Sequence, residues 1–197
     1  RKLRDEDPKV ACSAANAMLD MDFDEAAPFV TVALNHPSSQ VRGQVFTRLL
    51  KADPELALAQ LETLCRSTKT LVRSYAVSCF EAASQSEASA VFHERMDSLA
   101  LEAFRNETEE ELFEPLSRAY WKVATAESLS EFFLLLAELE QEVRTPDHNP
   151  RRGERPAVSR FKCLNEAKKV VIDKLNLSPE DVGTLSGKAE AQLRGKN

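Results

Sequence analysis

The chain has 197 residues, 43% of them apolar and 29% charged, and carries a formal charge of −6. That balance excludes a disordered polymer, and no uninterrupted apolar run is long enough to span a bilayer. With only 5 Gly and many Ala, Leu and Glu, the composition favours helix, and the length suffices for one compact domain or one short repeat array.

The first helix is predicted from Pro8 to Leu19, with Val10, Ala14, Ala17 and Met18 at helical spacing and Pro8 in its first turn. Asp22-Phe23-Asp24 then breaks the chain. Asp24 is placed to cap a helix from Glu25 to Asn35 that buries Phe29, Val30, Ala33 and Leu34. The turn His36-Pro37-Ser38 leads into a helix from Ser39 to Lys51. Asp53-Pro54 starts the next, which runs to Arg66 and buries Leu56, Leu61, Leu64 and Cys65. Its partner spans Thr70 to Ser84 with Leu71, Val72, Ala76, Val77 and Phe80 inward.

A longer helix is expected from Glu87 to Arg105, with Val91, Met96, Leu99, Ala100, Ala103 and Phe104 inward. Thr108-Glu109-Glu110-Glu111 has the form of a capping box for a helix to Ala124, in which Pro115 should produce a kink or split off a first turn. Glu127 to Val143 is strongly apolar through Leu129, Phe132, Phe133, Leu135, Leu136 and Leu139. The stretch 144–156 holds three Pro, one Gly and four Arg, which predicts an extended loop. Ala157 to Asn176 is helical again, burying Val158, Phe161, Leu164, Ala167, Val171 and Leu175. Ser178-Pro179-Glu180-Asp181 opens a last helix that holds Gly183 and Gly187 and is expected to dock weakly.

A fixed period runs through the first part. Steps of 31 residues carry Val10 to Val41 and Val72, Arg42 to Arg73, Val30 to Leu61 and Ala33 to Leu64. Apolar residues returning at one phase with this period mark stacked helical repeats. Three regions follow: regular repeats over 1–84, divergent repeats over 85–177, and a short helix or tail over 178–197. The first helix reads as the second half of a repeat, and a chain that begins Arg1-Lys2-Leu3 without an initiator Met reads as a piece of something longer.

The segment from Pro28 to Arg42 resembles a HEAT repeat: a Pro early in one helix, a short turn, then Val41-Arg42 opening the second helix fourteen residues after that Pro. The likeness departs from the family pattern in having His36 and Ser67 where an Asp usually precedes the Arg by six residues. It covers about residues 5–84. It implies an all-α, right-handed α-α superhelix of armadillo-like hairpins, about nine to ten helices here. It also implies that Arg42 and Arg73 bond the adjacent turn rather than form an exposed basic ladder.

Residues 1–150 carry 15 Lys and Arg against 26 Asp and Glu, and residues 151–197 carry 11 against 6. An acidic body is no general phosphate platform, but the basic end suits an anionic partner. Arg151, Arg152 and Arg155 on a Pro-stiffened loop, followed by Arg160 and Lys162 on a helix, are candidates to grip an acidic segment or a phosphate, against the plainer reading of a solvated loop. By helical phase, Gln44, Arg48 and Lys51, then Ser74, Ser78 and Glu81, then Arg118 and Lys122 are expected to face outward along the second helices.

Other constellations read as structure. His93-Glu94 is the chain's one such dipeptide, too few for the di-iron site of HEAT-like hydroxylases. Tyr120-Trp121 is similar to the aromatic cradle of HEAT-like DNA glycosylases, yet follows the repulsive run Glu109-Glu110-Glu111 and suits a core. Cys12, Cys65, Cys79 and Cys163 show no CxxC spacing and read as reduced core residues of a cytoplasmic protein. There is no Gly-rich phosphate cradle and no Ser-His-Asp set. No metal or cofactor is therefore expected, and the sequence points to a protein or peptide-binding scaffold. Nucleic-acid binding through the basic end is the main alternative, and a glycosylase or chromophore lyase the remote ones.

Overall fold

The computed structural model describes residues 2–20, 23–85, 92–144 and 154–195. Its elements are a short 3-10 turn at Lys2–Arg4 and ten helices: α1 (Pro8–Leu19), α2 (Phe23–Leu34), α3 (Ser39–Ala52), α4 (Pro54–Cys65), α5 (Thr70–Ser84), α6 (His93–Asn106), α7 (Glu110–Val123), α8 (Leu129–Arg144), α9 (Glu154–Lys174) and α10 (Pro179–Arg194). No strand occurs among the described residues, so the chain is all-α as its periodicity requires. It divides into two compact units, Arg1–Met96 and Asp97–Asn197.

In the first unit the second helix of each hairpin packs on the next: α3 lies against α1 on one side and α5 on the other, with α2 and α4 between them in sequence. The segments around Val41 and Val72 are therefore neighbours. Burial follows the 31-residue phase. Val41 is fully enclosed, because α3 has a helix of its own kind on both flanks, whereas Val10 at the same phase of α1 is 36% exposed. Val45, Phe46, Leu49 and Leu50 on α3 meet Ala76, Cys79, Phe80 and Ala83 on α5 as one apolar interior. Gly43 faces α5 at an ordinary contact distance; a Cβ built there would lie 3.5 Å from that of Ala82.

Several local expectations give way. Phe29 and Leu71 are 49% and 65% exposed. They stand at the phases of Gln60 and Gln40, polar positions in the neighbouring repeats, so the repeat register overrides their own hydrophobicity. Helix α2 begins at Phe23, which puts Asp24 inside the first turn instead of before it. Asp53 and Asp7 do cap, accepting from Leu56 N at 3.0 Å and Lys9 N at 2.9 Å.

The second unit has no such register. Helix α9 packs against both α7 and α8, and α10 packs on α8. Leu112, Phe113, Leu116 and Tyr120 of α7 and Phe132, Phe133, Leu135, Leu136 and Leu139 of α8 fill its interior, where Tyr120 and Phe132 stack at 5.0 Å. The Thr108 capping box does not form. Glu109 is the cap residue without a side-chain bond, and the buried Glu107 carboxylate accepts from Thr108 N and Glu109 N at 2.9 Å each. Helix α7 continues through Pro115; the Glu111 carbonyl that loses its donor belongs to an exposed residue. Val158 is 48% exposed, lying opposite the stripe Leu164, Ala167 and Val171 that α9 buries. Helix α10 is sixteen residues long, held at its start by a reciprocal Ser178–Asp181 capping box, and Ala189 is its one fully buried residue.

Candidate interaction surface

Each hairpin of the first unit satisfies its own turn. Arg42, which opens α3, donates through Nη1 to the His36 carbonyl at 2.6 Å and the Pro37 carbonyl at 2.7 Å, and through Nε to Ser78 Oγ on α5 at 2.8 Å. Its guanidinium also lies 4.3 Å from the Tyr75 ring centroid. Arg73 repeats the motif one unit later, donating to the Ser67 carbonyl at 3.0 Å. His36 links successive turns: Nδ1 accepts from Ser38 N at 3.0 Å, which leaves the proton on Nε2 to donate to the Asp5 carbonyl at 3.1 Å, 31 residues back. The arginine ladder is thus consumed by the fold.

What the second helices leave open is a groove of about 400 Å³ lined by Asn16 of α1, Gln44, Thr47 and Arg48 of α3, and Ala82 and Gln85 at the α5 end. Asn16 and Thr47 stand one 31-residue step apart. Arg48 is exposed and anchored at one side, donating to the Asn16 carbonyl at 3.0 Å and pairing with Asp20 at 3.0 Å. This fixes the guanidinium at the C-terminal end of α1, where the helix dipole favours a cation. Lys51 is exposed one turn beyond Thr47. Much of the exposed lining is apolar, and Asn, Gln and Thr add donors and acceptors, so the groove suits a mixed apolar and polar surface better than a bare charge.

Gln44 and Arg48 lie where helical phase places them, whereas Ser78 is buried because Arg42 of the preceding repeat reaches forward to it. Asn16, Thr47 and Gln85 are groove residues that helical phase alone does not pick out; the 31-residue step from Asn16 to Thr47 is the signal that points to the first two.

The second unit spends its cations internally. Arg160 donates through Nη2 to the carbonyls of Phe104 at 3.3 Å and Arg105 at 2.5 Å, closing the C-terminus of α6. Burial pulls its pKa below the usual range, opposed by Glu142 and Glu107. Lys174 donates to the carbonyls of Trp121, Lys122 and Ala124 at 3.3, 2.8 and 3.0 Å, closing the C-terminus of α7. Burial lowers its pKa as well, and the Asp97 carboxylate opposes that shift. Arg118 pairs with Glu114 one turn away, Lys122 is half-buried, and Lys162 is exposed on α9. Arg151 and Arg152 lie outside the described residues; Arg155 lies in α9, its side chain outside them too. The residues that line the groove do not include Arg118, Lys122, Arg160 or Lys162.

Among the described residues no three His, Cys, Asp or Glu side chains converge as metal ligands, and no helix is long and apolar enough to cross a membrane. The four cysteines are free thiols, with Cys12 and Cys79 buried; burial pushes Cys79 up to about 12, against the pull of Arg42. In comparison with known proteins, residues 1–81 match the family model described as HEAT repeats. No curated protein and no solved structure matches the chain.

Proposed function

With residues 1–81 belonging to the HEAT-repeat family, we propose that the chain is an interaction scaffold that binds a partner protein along the second helices of its first unit. HEAT repeats generally mediate protein–protein interactions. The observation that carries the reading is the groove in which Asn16, Gln44, Thr47, Arg48 and Gln85 converge from three successive second helices. Its lining comes from helices rather than loops, with Ala82 of α5 between the polar side chains, so a partner meets a surface at little ordering cost. Asn, Gln, Thr and Arg side chains suit recognition, and the reading is a binding module.

The test is affinity capture of partners by the intact chain, with crosslinking from Lys51, against the variants Thr47→Trp and Gln44→Ala with Gln85→Ala. Proteins crosslinked through Lys51 and lost with both variants support the groove. Partners retained by both variants would turn the reading away from this face. A labelled DNA or RNA oligonucleotide whose affinity falls steeply with added salt would assign the chain to nucleic acid instead.

A further inference from the structure

Helices α7 and α9 run side by side in the same direction. Ser159 at the start of α9 bonds Glu110 at the start of α7 at 2.6 Å, and Lys174 at its end reaches the carbonyls of Trp121, Lys122 and Ala124. Between those two ties lies a pocket of about 110 Å³. Helix α7 lines it with Glu114, Arg118 and Trp121, at i, i+4 and i+7, and with the buried Ser117 between them. Helix α9 lines it with Cys163, Glu166 and Ala167, at i, i+3 and i+4. Each set is a single stripe of its helix, so the lining is held by regular backbone on both sides.

The lining sets an apolar wall beside an uncommitted carboxylate. The Trp121 Nε1 is buried, so the indole meets the pocket with ring carbon. Ala167 adds to this wall from α9, and Val170, two turns beyond Cys163 on the same stripe, is 36% exposed. Arg118 is taken by Glu114 one turn before it, and Lys174 by the carbonyls at the end of α7. Glu166 is exposed and, among the described residues, pairs with no cation. The field in the pocket is negative. Burial holds the Cys163 thiol above its ordinary value, Glu166 and Glu114 push it the same way, and only Lys162 and the backbone hydrogen bond of Cys163 oppose them. The exposed run Glu109-Glu110-Glu111 at the start of α7 extends that field and would steer a cation towards it.

We propose that this pocket is a recognition site in its own right, taking an arginine side chain of a partner polypeptide, with its stem along Trp121 and Ala167 and its guanidinium on Glu166. A guanidinium is flat and weakly hydrated, stacks on an indole and forks onto a carboxylate, whereas an anion would meet Glu114 and Glu166. The pocket holds one side chain, where the groove of about 400 Å³ in the first unit spans three helices. It shares no residue with that groove, and the inference does not rest on it.

Trp121, the chain's single tryptophan, is the reporter. The probe is an acetylated and amidated pentapeptide with arginine flanked by two alanines on each side, titrated into the full chain at low salt up to millimolar concentration. It should change the Trp121 fluorescence saturably, and the same peptide with citrulline in place of arginine should not. Glu166→Gln should weaken the arginine peptide about tenfold. Glu180→Gln removes the same charge from α10, outside the pocket lining, and should change the affinity by less than about twofold. The arginine peptide should also slow iodoacetamide labelling of Cys163, read by peptide mass spectrometry, which locates the site independently of Trp121. The proposal is overturned by an equal response to the citrulline peptide, by an affinity unmoved in Glu166→Gln, or by equal losses in Glu166→Gln and Glu180→Gln. Absence of any saturable change, or Cys163 labelling that the arginine peptide leaves as it was, overturns it as well.

Discussion

The two units solve one problem, the unpaired carbonyls at turns and helix ends, in opposite ways. In the first, Arg42 and Arg73 serve turns five or six residues behind them, and the solution recurs because the sequence recurs. In the second, Arg160 and Lys174 come from 50 or more residues downstream and serve the ends of α6 and α7. Local satisfaction yields a periodic stack whose outward polar positions stay available. Distant satisfaction yields an aperiodic bundle in which Arg160 and Lys174 are spent on its own closure.

Removing Arg42 should be the most damaging single change, because it strands the carbonyl of the buried His36 and takes away the link from α3 to Ser78 on α5. Arg42→Ala is expected to cost about 3 kcal/mol in chemical denaturation followed by circular dichroism, and Arg73→Ala about 1 kcal/mol, since Arg73 is less buried. Equal losses at the two positions would break the view that burial sets the worth of each rung.

Alkaline titration sharpens the comparison next. Cys79 in the first unit has its pKa raised from 9.0 to about 12, so the folded state keeps a proton that the unfolded chain gives up. Its contribution is complete below pH 9 and is lost as pH rises from there towards 12, at no more than about 1.4 kcal/mol per pH unit. Cys79→Ala should flatten that slope. Burial likewise lifts Tyr120 in the second unit, a shift the Ser128 hydroxyl opposes, so the sign is the same. Tyr120→Phe should flatten only the part above the usual tyrosine range.

Lys174→Met should destabilise the second unit by about 1–2 kcal/mol, read by the fluorescence of Trp121, the chain's single tryptophan. A midpoint unmoved by this variant would mean that water closes α7 equally well. Smallest are the glycine changes. Gly43→Ala meets Ala82 at ordinary contact distance and Gly183→Ala meets nothing, so each should add about 0.5–1 kcal/mol to thermal stability. A loss at Gly43 would show that the α3–α5 approach tolerates no methyl group.

Much of the first unit is legible in the sequence because its physics is local. The 31-residue step places Val41 between Val10 and Val72, and the turn-bonding role of Arg42 and Arg73 follows from the HEAT-like segment. The groove is half legible: Gln44 and Arg48 follow from helical phase, while the burial of Ser78 depends on a side chain 36 residues away. In the second unit Arg160 reads as a free cation beside Lys162. Nothing within its own helix announces that the carbonyls of Phe104 and Arg105 will lie within reach. The capping box at Thr108 does not form for a similar reason, a buried Glu107 one residue upstream having taken the Thr108 N–H that Glu111 was to bond.

The His36 imidazole and the Arg42 guanidinium face in opposite directions along the chain, one towards Asp5 and the other towards Ser78. A hairpin so tethered cannot melt without disturbing both the segment before it and the helix after it. Cooperativity in this stack accordingly travels through two polar side chains as well as through the oil between helices. Deleting α4 and α5 would therefore strip Arg42 of Ser78 and the Tyr75 ring while leaving its turn carbonyls, and leave the remainder less stable than its share of the apolar interior alone would suggest.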